Sequence, residues 1–93
     1  QNSNLYEKLT TVLYKQMNGR MADTLLYIDS LKVDNHEIFQ LLSRKDLADF
    51  AATSTESAVK LLKSFEKDGL IALEEKDIHL LNYEALREIS RRG

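Results

Sequence analysis

Glu56, Lys60, Lys63 and Lys67 are spaced 4, 3 and 4, so on a helix they share one face. A carboxylate followed one turn later by an ammonium sets an acceptor beside a donor. Against duplex DNA, Glu56 can accept from a cytosine amino group and Lys60 can donate to guanine O6 or N7. Lys lacks the planar fork of Arg, so Lys60 discriminates less sharply than a bidentate contact. The same spacing also fits a solvated face on which Glu56 and Lys60 simply pair at i, i+4. Glu56 also follows Thr53 by three residues, the separation of a capping box. Other chemistry-bearing residues are sparse. His36 and His79 lie far apart, with no Cys in the chain and no ligand spacing around them. They read as surface or satisfied histidines rather than metal ligands. No Gly-rich phosphate loop and no His-centred motif is present, so an enzyme is the weakest reading and no cofactor is expected.

The cationic face needs a helix to carry it. Ala58, Leu61, Leu62 and Phe65 form an apolar stripe from about Thr55, capped by Thr53 or Ser54 and stopped at Asp68-Gly69. With that stripe inward, Thr55, Glu56, Ser57, Val59, Lys60 and Lys63 face out. Upstream, Ser43 and Asp46 have capping-box spacing ahead of a shorter helix, with Leu47, Phe50 and Ala51 inward and Ala48 small enough for close approach. A short helix, a break at residues 52–55 and a longer helix make a helix-turn-helix. If the second helix enters the major groove, Thr55, Glu56, Val59 and Lys60 are the base readers, with Val59 suited to a thymine methyl. Ser43, Arg44, Lys45, Ser54, Ser57 and Lys63 would position the domain on phosphates, helped by backbone N–H groups at the two helix starts.

The flanking elements follow. From Leu5 to about Gln16, Leu5, Leu9 and Val12 recur at 4-3 spacing, with Tyr6, Leu13 and Met17 widening the stripe. A helix this short is marginal alone, so it either packs on the domain or pairs with the same helix of a second chain. Asn18-Gly19 reads as a break, and Arg20 to about Lys32 as a second helix burying Met21, Ala22, Leu25, Ile28 and one of Leu26 or Leu31. Residues 33–37 are a polar loop, and 38–42 form a short apolar run expected to be a strand. Leu70–Leu73 and Ile78–Leu81 flank a polar tip and read as a β-hairpin. Asn82 caps a last helix with Leu86 and Ile89 inward.

Composition bounds the alternatives. Ninety-three residues make one domain, 43% hydrophobic and 30% charged, with no Pro and three Gly. No apolar run reaches the ~20 residues of a membrane span. The absence of Cys suits a reducing cytoplasm. The net charge of −2 argues mildly against nucleic acid, yet residues 43–71 carry five charges of each sign, so the local pattern carries the argument. Because the chain starts at Gln1 inside a helical pattern, it is expected to be part of something longer.

RMADTLLYI resembles the R-[IV]-A-x-x-L-L-x-L helix that opens the DNA-binding domain of the Crp/Fnr family of bacterial transcription regulators. LSRKDLADFAATSTESAVKLLKSFEKDGLI is similar to that family's helix-turn-helix, and IHLLNYEAL to its wing strand and capped final helix. The likeness covers Arg20 to Ile89. It implies a mainly α fold with a small β wing, a winged helix-turn-helix preceded by a dimerisation-type helix. Residues 1–18 would then be the end of the dimerisation helix, residues 19–93 the DNA-binding domain, and the effector-binding sensor domain would be absent from this chain. The implied partners are a double-stranded operator, a second copy joined through Leu5, Leu9, Val12 and Gln16, and RNA polymerase. Competing readings are a winged-helix module that binds protein, and a repressor of another winged-helix subclass. Several positions depart from the family pattern. Ala52 replaces the usual turn Gly, Lys60 replaces Arg, Ala58-Val59 replaces Val and a small or polar residue, and the wing tip is acidic at Glu74, Glu75 and Asp77. If residue 52 needs φ > 0, Ala there costs on the order of 1 kcal/mol.

Overall fold

A computed structural model describes residues 2–92. Its first element, α1 (Asn2–Ser30), is one unbroken helix of 29 residues, about 44 Å long at 1.5 Å per residue. The expected break at Asn18-Gly19 does not occur. Gly in a helix interior costs about 1 kcal/mol against Ala but keeps its N–H in the ladder, unlike Pro. Here Gly19 is itself buried, and Met21, Ala22, Leu25 and Ile28 just beyond it are sealed in the core. That packing outweighs the local propensity. A 3-10 turn (Leu31–Val33) finishes the helix.

The expected strand at 38–42 is also corrected: Ile38–Leu41 is a second 3-10 turn, closed by Gln40 N–H to Glu37 O (2.9 Å) and Leu42 N–H to Phe39 O (3.3 Å). Five apolar residues have no periodicity to settle their conformation, and among the described residues no strand pairs with them. The turn drives Phe39 fully into the core.

Then come α2 (Arg44–Phe50), α3 (Thr55–Lys67), β1 (Ile71–Glu74), β2 (Asp77–Leu80) and α4 (Tyr83–Arg92). The hairpin pairs Ile71 with Leu80, Leu73 with Ile78 and Glu74 with Asp77. Because strand side chains alternate, Ile71, Ile78 and Leu80 point into the core while Glu74, Asp77 and His79 share the outer face. Asn82 caps α4, its Oδ1 accepting from Ala85 N–H at 3.0 Å. Helix α4 lies along the second half of α1, with Leu86 buried between them and Tyr83 Oη donating to Asp29 at 2.8 Å. That bond, with some burial, raises the Tyr83 hydroxyl above its ordinary value.

One core unites α1, the Phe39 turn, α2, α3, the hairpin and α4. It holds the whole expected stripe of α3: Ala58, Leu61, Leu62 and Phe65. In α2 the inward set is Leu47, Ala48 and Ala51; Phe50, expected inside, is 60% exposed. Seven residues of helix present only one narrow face, and the small side chains of Ala48 and Ala51 let α2 seat there closely, leaving Phe50 beyond the contact. No helix of the described residues is long and apolar enough to cross a membrane.

Candidate nucleic-acid interface

Helix α2 begins in a complete capping box. Ser43 Oγ accepts from Asp46 N–H at 3.1 Å, and Asp46 Oδ2 accepts from Ser43 N–H at 2.9 Å. The Ser43 backbone donor, then its hydroxyl, holds the Asp46 carboxyl below its ordinary value. The end of α2 is equally defined. Ala51 is the C-cap, and Ala52 follows with φ of 55°. Ala52 N–H reaches Asp49 O at 3.2 Å and Thr53 N–H reaches Ala48 O at 2.9 Å. Those two bonds and the left-handed residue form a Schellman motif. The position does need φ > 0, as the family's usual Gly implied, and this chain meets the need with Ala.

The turn delivers the chain to Ser54, which caps α3 by accepting from Ser57 N–H at 3.1 Å. Thr53 is not the cap, so Glu56 closes no box with it. Instead Glu56 Oε1 lies 3.6 Å from Lys60 Nζ, both side chains largely exposed. Thr55, Glu56, Lys60, Lys63 and Lys67 all point to solvent, while Ser57 and Val59 are half-buried at the edge of that face. Val59 is thus less available to a ligand than its place in the sequence suggests. An exposed i, i+4 pair contributes only about 0.3–0.5 kcal/mol. Lys60 and Glu56 therefore part easily when a polar partner arrives. Lys45 is held the same way by Asp49, at 3.1 Å.

Arg44 turns toward the wing, where its Nη2 lies 3.5 Å from Glu75 O. Between the start of α2 and the hairpin tip lies an open cleft of about 410 Å³ with Ser43, Arg44, Glu75 and Lys76 on its walls. The structure thus adds Lys76, which acidic neighbours mask in the sequence. The Glu74–Asp77 pair leaves Lys76 in a two-residue hairpin loop, which turns its side chain outward. Glu75 at that tip has φ of 54°, another left-handed position held by a residue other than Gly. His79 Nε2 stands 3.5 Å from Asp77 Oδ2 and 3.7 Å from Glu74 Oε1 on the outer face of the wing. Among the described residues, no three His, Asp or Glu side chains gather as a metal site.

Far from this surface, Leu5, Leu9, Val12 and Leu13 are each about half or more exposed along the first turns of α1, with Gln16 also exposed. They form an apolar row that the domain itself does not cover.

The model of the Crp-like helix-turn-helix domain matches residues 19–89. No curated protein matches the chain as a relative.

Proposed function

We propose that this chain, which belongs to the Crp-like helix-turn-helix family and is therefore a DNA-binding transcription regulator and not a catalyst, reads its operator with α3 in the major groove. The observation that carries this reading is the division of α3. Its core stripe is fully spoken for by the domain, which leaves Thr55, Glu56, Lys60 and Lys63 as a polar face with no partner, among the described residues, beyond its own i, i+4 pair. Glu56 and Lys60 read base edges, Thr55 assists at the helix start, and Val59 borders the same surface. Ser43, Arg44, Lys45, Ser54, Ser57 and Lys63 take phosphates, joined by Lys76 across the cleft from Arg44.

The regulator acts in the cytoplasm as a homodimer. Leu5, Leu9, Val12 and Gln16, with Leu13 beside them, supply the seam, because an exposed apolar row at 4-3 spacing is what a two-helix contact requires. Two α3 helices then address half-sites about 34 Å apart. Control comes from an effector-binding domain in the complete regulator, with RNA polymerase as the further partner.

The test is selection from a random duplex pool, followed by binding to the enriched site across a salt series. Enrichment of one paired motif is expected, with affinity falling steeply as salt rises, because each neutralised phosphate releases counterions. Absence of enrichment, or binding insensitive to salt, would favour the protein-docking reading that the acidic wing suggests.

A further inference from the structure

Arg20 lies thirty-one residues from the turn of the helix-turn-helix, yet its Nε donates to the Ala51 carbonyl at 2.9 Å. That carbonyl belongs to the C-cap of α2, one of the oxygens a helix end cannot satisfy internally. The next residue is Ala52 in the left-handed region. A residue with a Cβ stays there only when its surroundings over-determine the conformation. Two surroundings are visible: the Schellman bonds to Asp49 and Ala48, and the guanidinium on the carbonyl of the peptide linking Ala51 to Ala52.

The base of Arg20 is itself fixed. Thr24, buried, donates from Oγ1 to the Arg20 carbonyl at 2.8 Å. Met21 and Ala22 immediately after it are fully buried. The side chain therefore reaches from an immovable turn of α1 to the one strained peptide between α2 and α3. A hydrogen bond with a charged donor is roughly twice as strong as one between neutral groups. From this juxtaposition we infer that Arg20 is a positioning residue: it holds the Ala52 turn left-handed and so sets the pose of the reading helix α3 relative to α1. It touches no base in this arrangement. Its consequence for DNA rests on the reading proposed above; its consequence for geometry does not.

The two are separable by experiment. The chain has no native Cys, so Lys15→Cys and Lys67→Cys, both at exposed positions, place one spin label on α1 and one on α3. Distances between them are measured at low temperature for four backgrounds: the parent, Arg20→Met, Ala52→Gly and the double variant. The same four proteins, unlabelled, are titrated with a single half-site from the selected operator, at a temperature where circular dichroism shows each one folded. Arg20→Met is expected to broaden and shift the distance distribution and to weaken half-site binding about tenfold, the scale of one hydrogen bond to a charged group. Adding Ala52→Gly, which removes the Cβ penalty on the left-handed turn, is expected to narrow the distribution again and bring binding back to within about threefold of the parent.

A residue that merely stabilised the fold would lower the melting temperature and leave the folded-state distances alone. An unchanged distribution in Arg20→Met overturns the inference, and so does a shift that Ala52→Gly fails to relieve. If no operator is selected, the proposed function falls while the distance measurement still decides the role of Arg20. Should Arg20→Met fail to fold, Arg20→Lys, which keeps the stem and one donor, is expected to give the same shift at smaller amplitude, and an unshifted Arg20→Lys overturns the inference.

Discussion

Two helices in this molecule end in the same motif with different residues at the left-handed position. After α2 it is Ala52, φ 55°; after α3 it is Gly69, φ 77°. At Gly69 the bonds are the equivalents of those at Ala52: Gly69 N–H to Glu66 O at 3.0 Å and Leu70 N–H to Phe65 O at 2.9 Å. Each therefore serves as a control for the other. Left-handed backbone costs an L-residue roughly 1–2 kcal/mol, and Gly returns about 0.5–1 kcal/mol of that through its freer unfolded chain. Ala52→Gly should thus stabilise the domain by about 0.5–1 kcal/mol, or roughly 3–5 °C for 93 residues. Gly69→Ala should cost a similar amount. A Cβ there meets no atom within 4 Å, so the loss is backbone strain alone. Thermal scans and urea titrations would read both, with the midpoint moving and the denaturant slope unchanged. A neutral or destabilising Ala52→Gly, beside a costly Gly69→Ala, would refute the reasoning, since the two turns would then not be governed by the same strain.

Three further outcomes follow from the same contacts. Lys60→Ala should relax preference at one operator position and cost about 1–3 kcal/mol at the favoured base, read by repeating the selection; an unchanged motif would remove Lys60 as a reader. Asp46 has a folded-state pKa below its ordinary value, so its cap contributes fully above about pH 4 and is lost as the pH falls from there through the folded value. Asp46→Asn should therefore flatten that acid limb of the stability profile, and an identical limb in the variant would count against the capping box. Leu9→Glu should abolish self-association in sedimentation while leaving the melting of the domain core nearly unchanged, because the Leu9 side chain is 56% exposed in the single chain.

Much of the site was readable because its residues report local physics. Ser43 with Asp46, and Asn82, are caps whose partners lie three residues away, and the stripe Ala58, Leu61, Leu62, Phe65 is a period that only one helix face satisfies. What escaped the sequence depended on distant partners. Gly19 looked like punctuation because propensity sees only neighbours, whereas its neighbours in space bury it. The run at 38–42 looked extended because apolarity alone does not say whether a strand exists to pair with it. Spacing alone places Phe50 inward, but seven residues of helix cannot bury two faces. Thr53 and Ser54 were both plausible caps; the turn conformation set by Ala52 chose between them. Lys76 was hidden by its acidic neighbours, and the bond from Arg20 to Ala51 leaves no trace in a linear string.

The unbroken course of α1 has a consequence for how this molecule breathes. Its second half is sealed by the core at Met21, Ala22, Leu25 and Ile28, while Leu5, Leu9, Val12 and Leu13 in its first half touch water. One hydrogen-bond ladder thus spans two regimes of protection. Amides near residues 21–28 are expected to open only with the whole fold, and those near residues 5–13 to follow an isolated-helix regime, in which a dozen residues are marginal in water. Hydrogen exchange along this single helix should fall from fast to globally protected within about two turns around Gly19. Pairing of two chains would extend protection toward the N-terminus and make it depend on protein concentration. The same rod would then be a folded element of the dimer and a fraying one of the monomer.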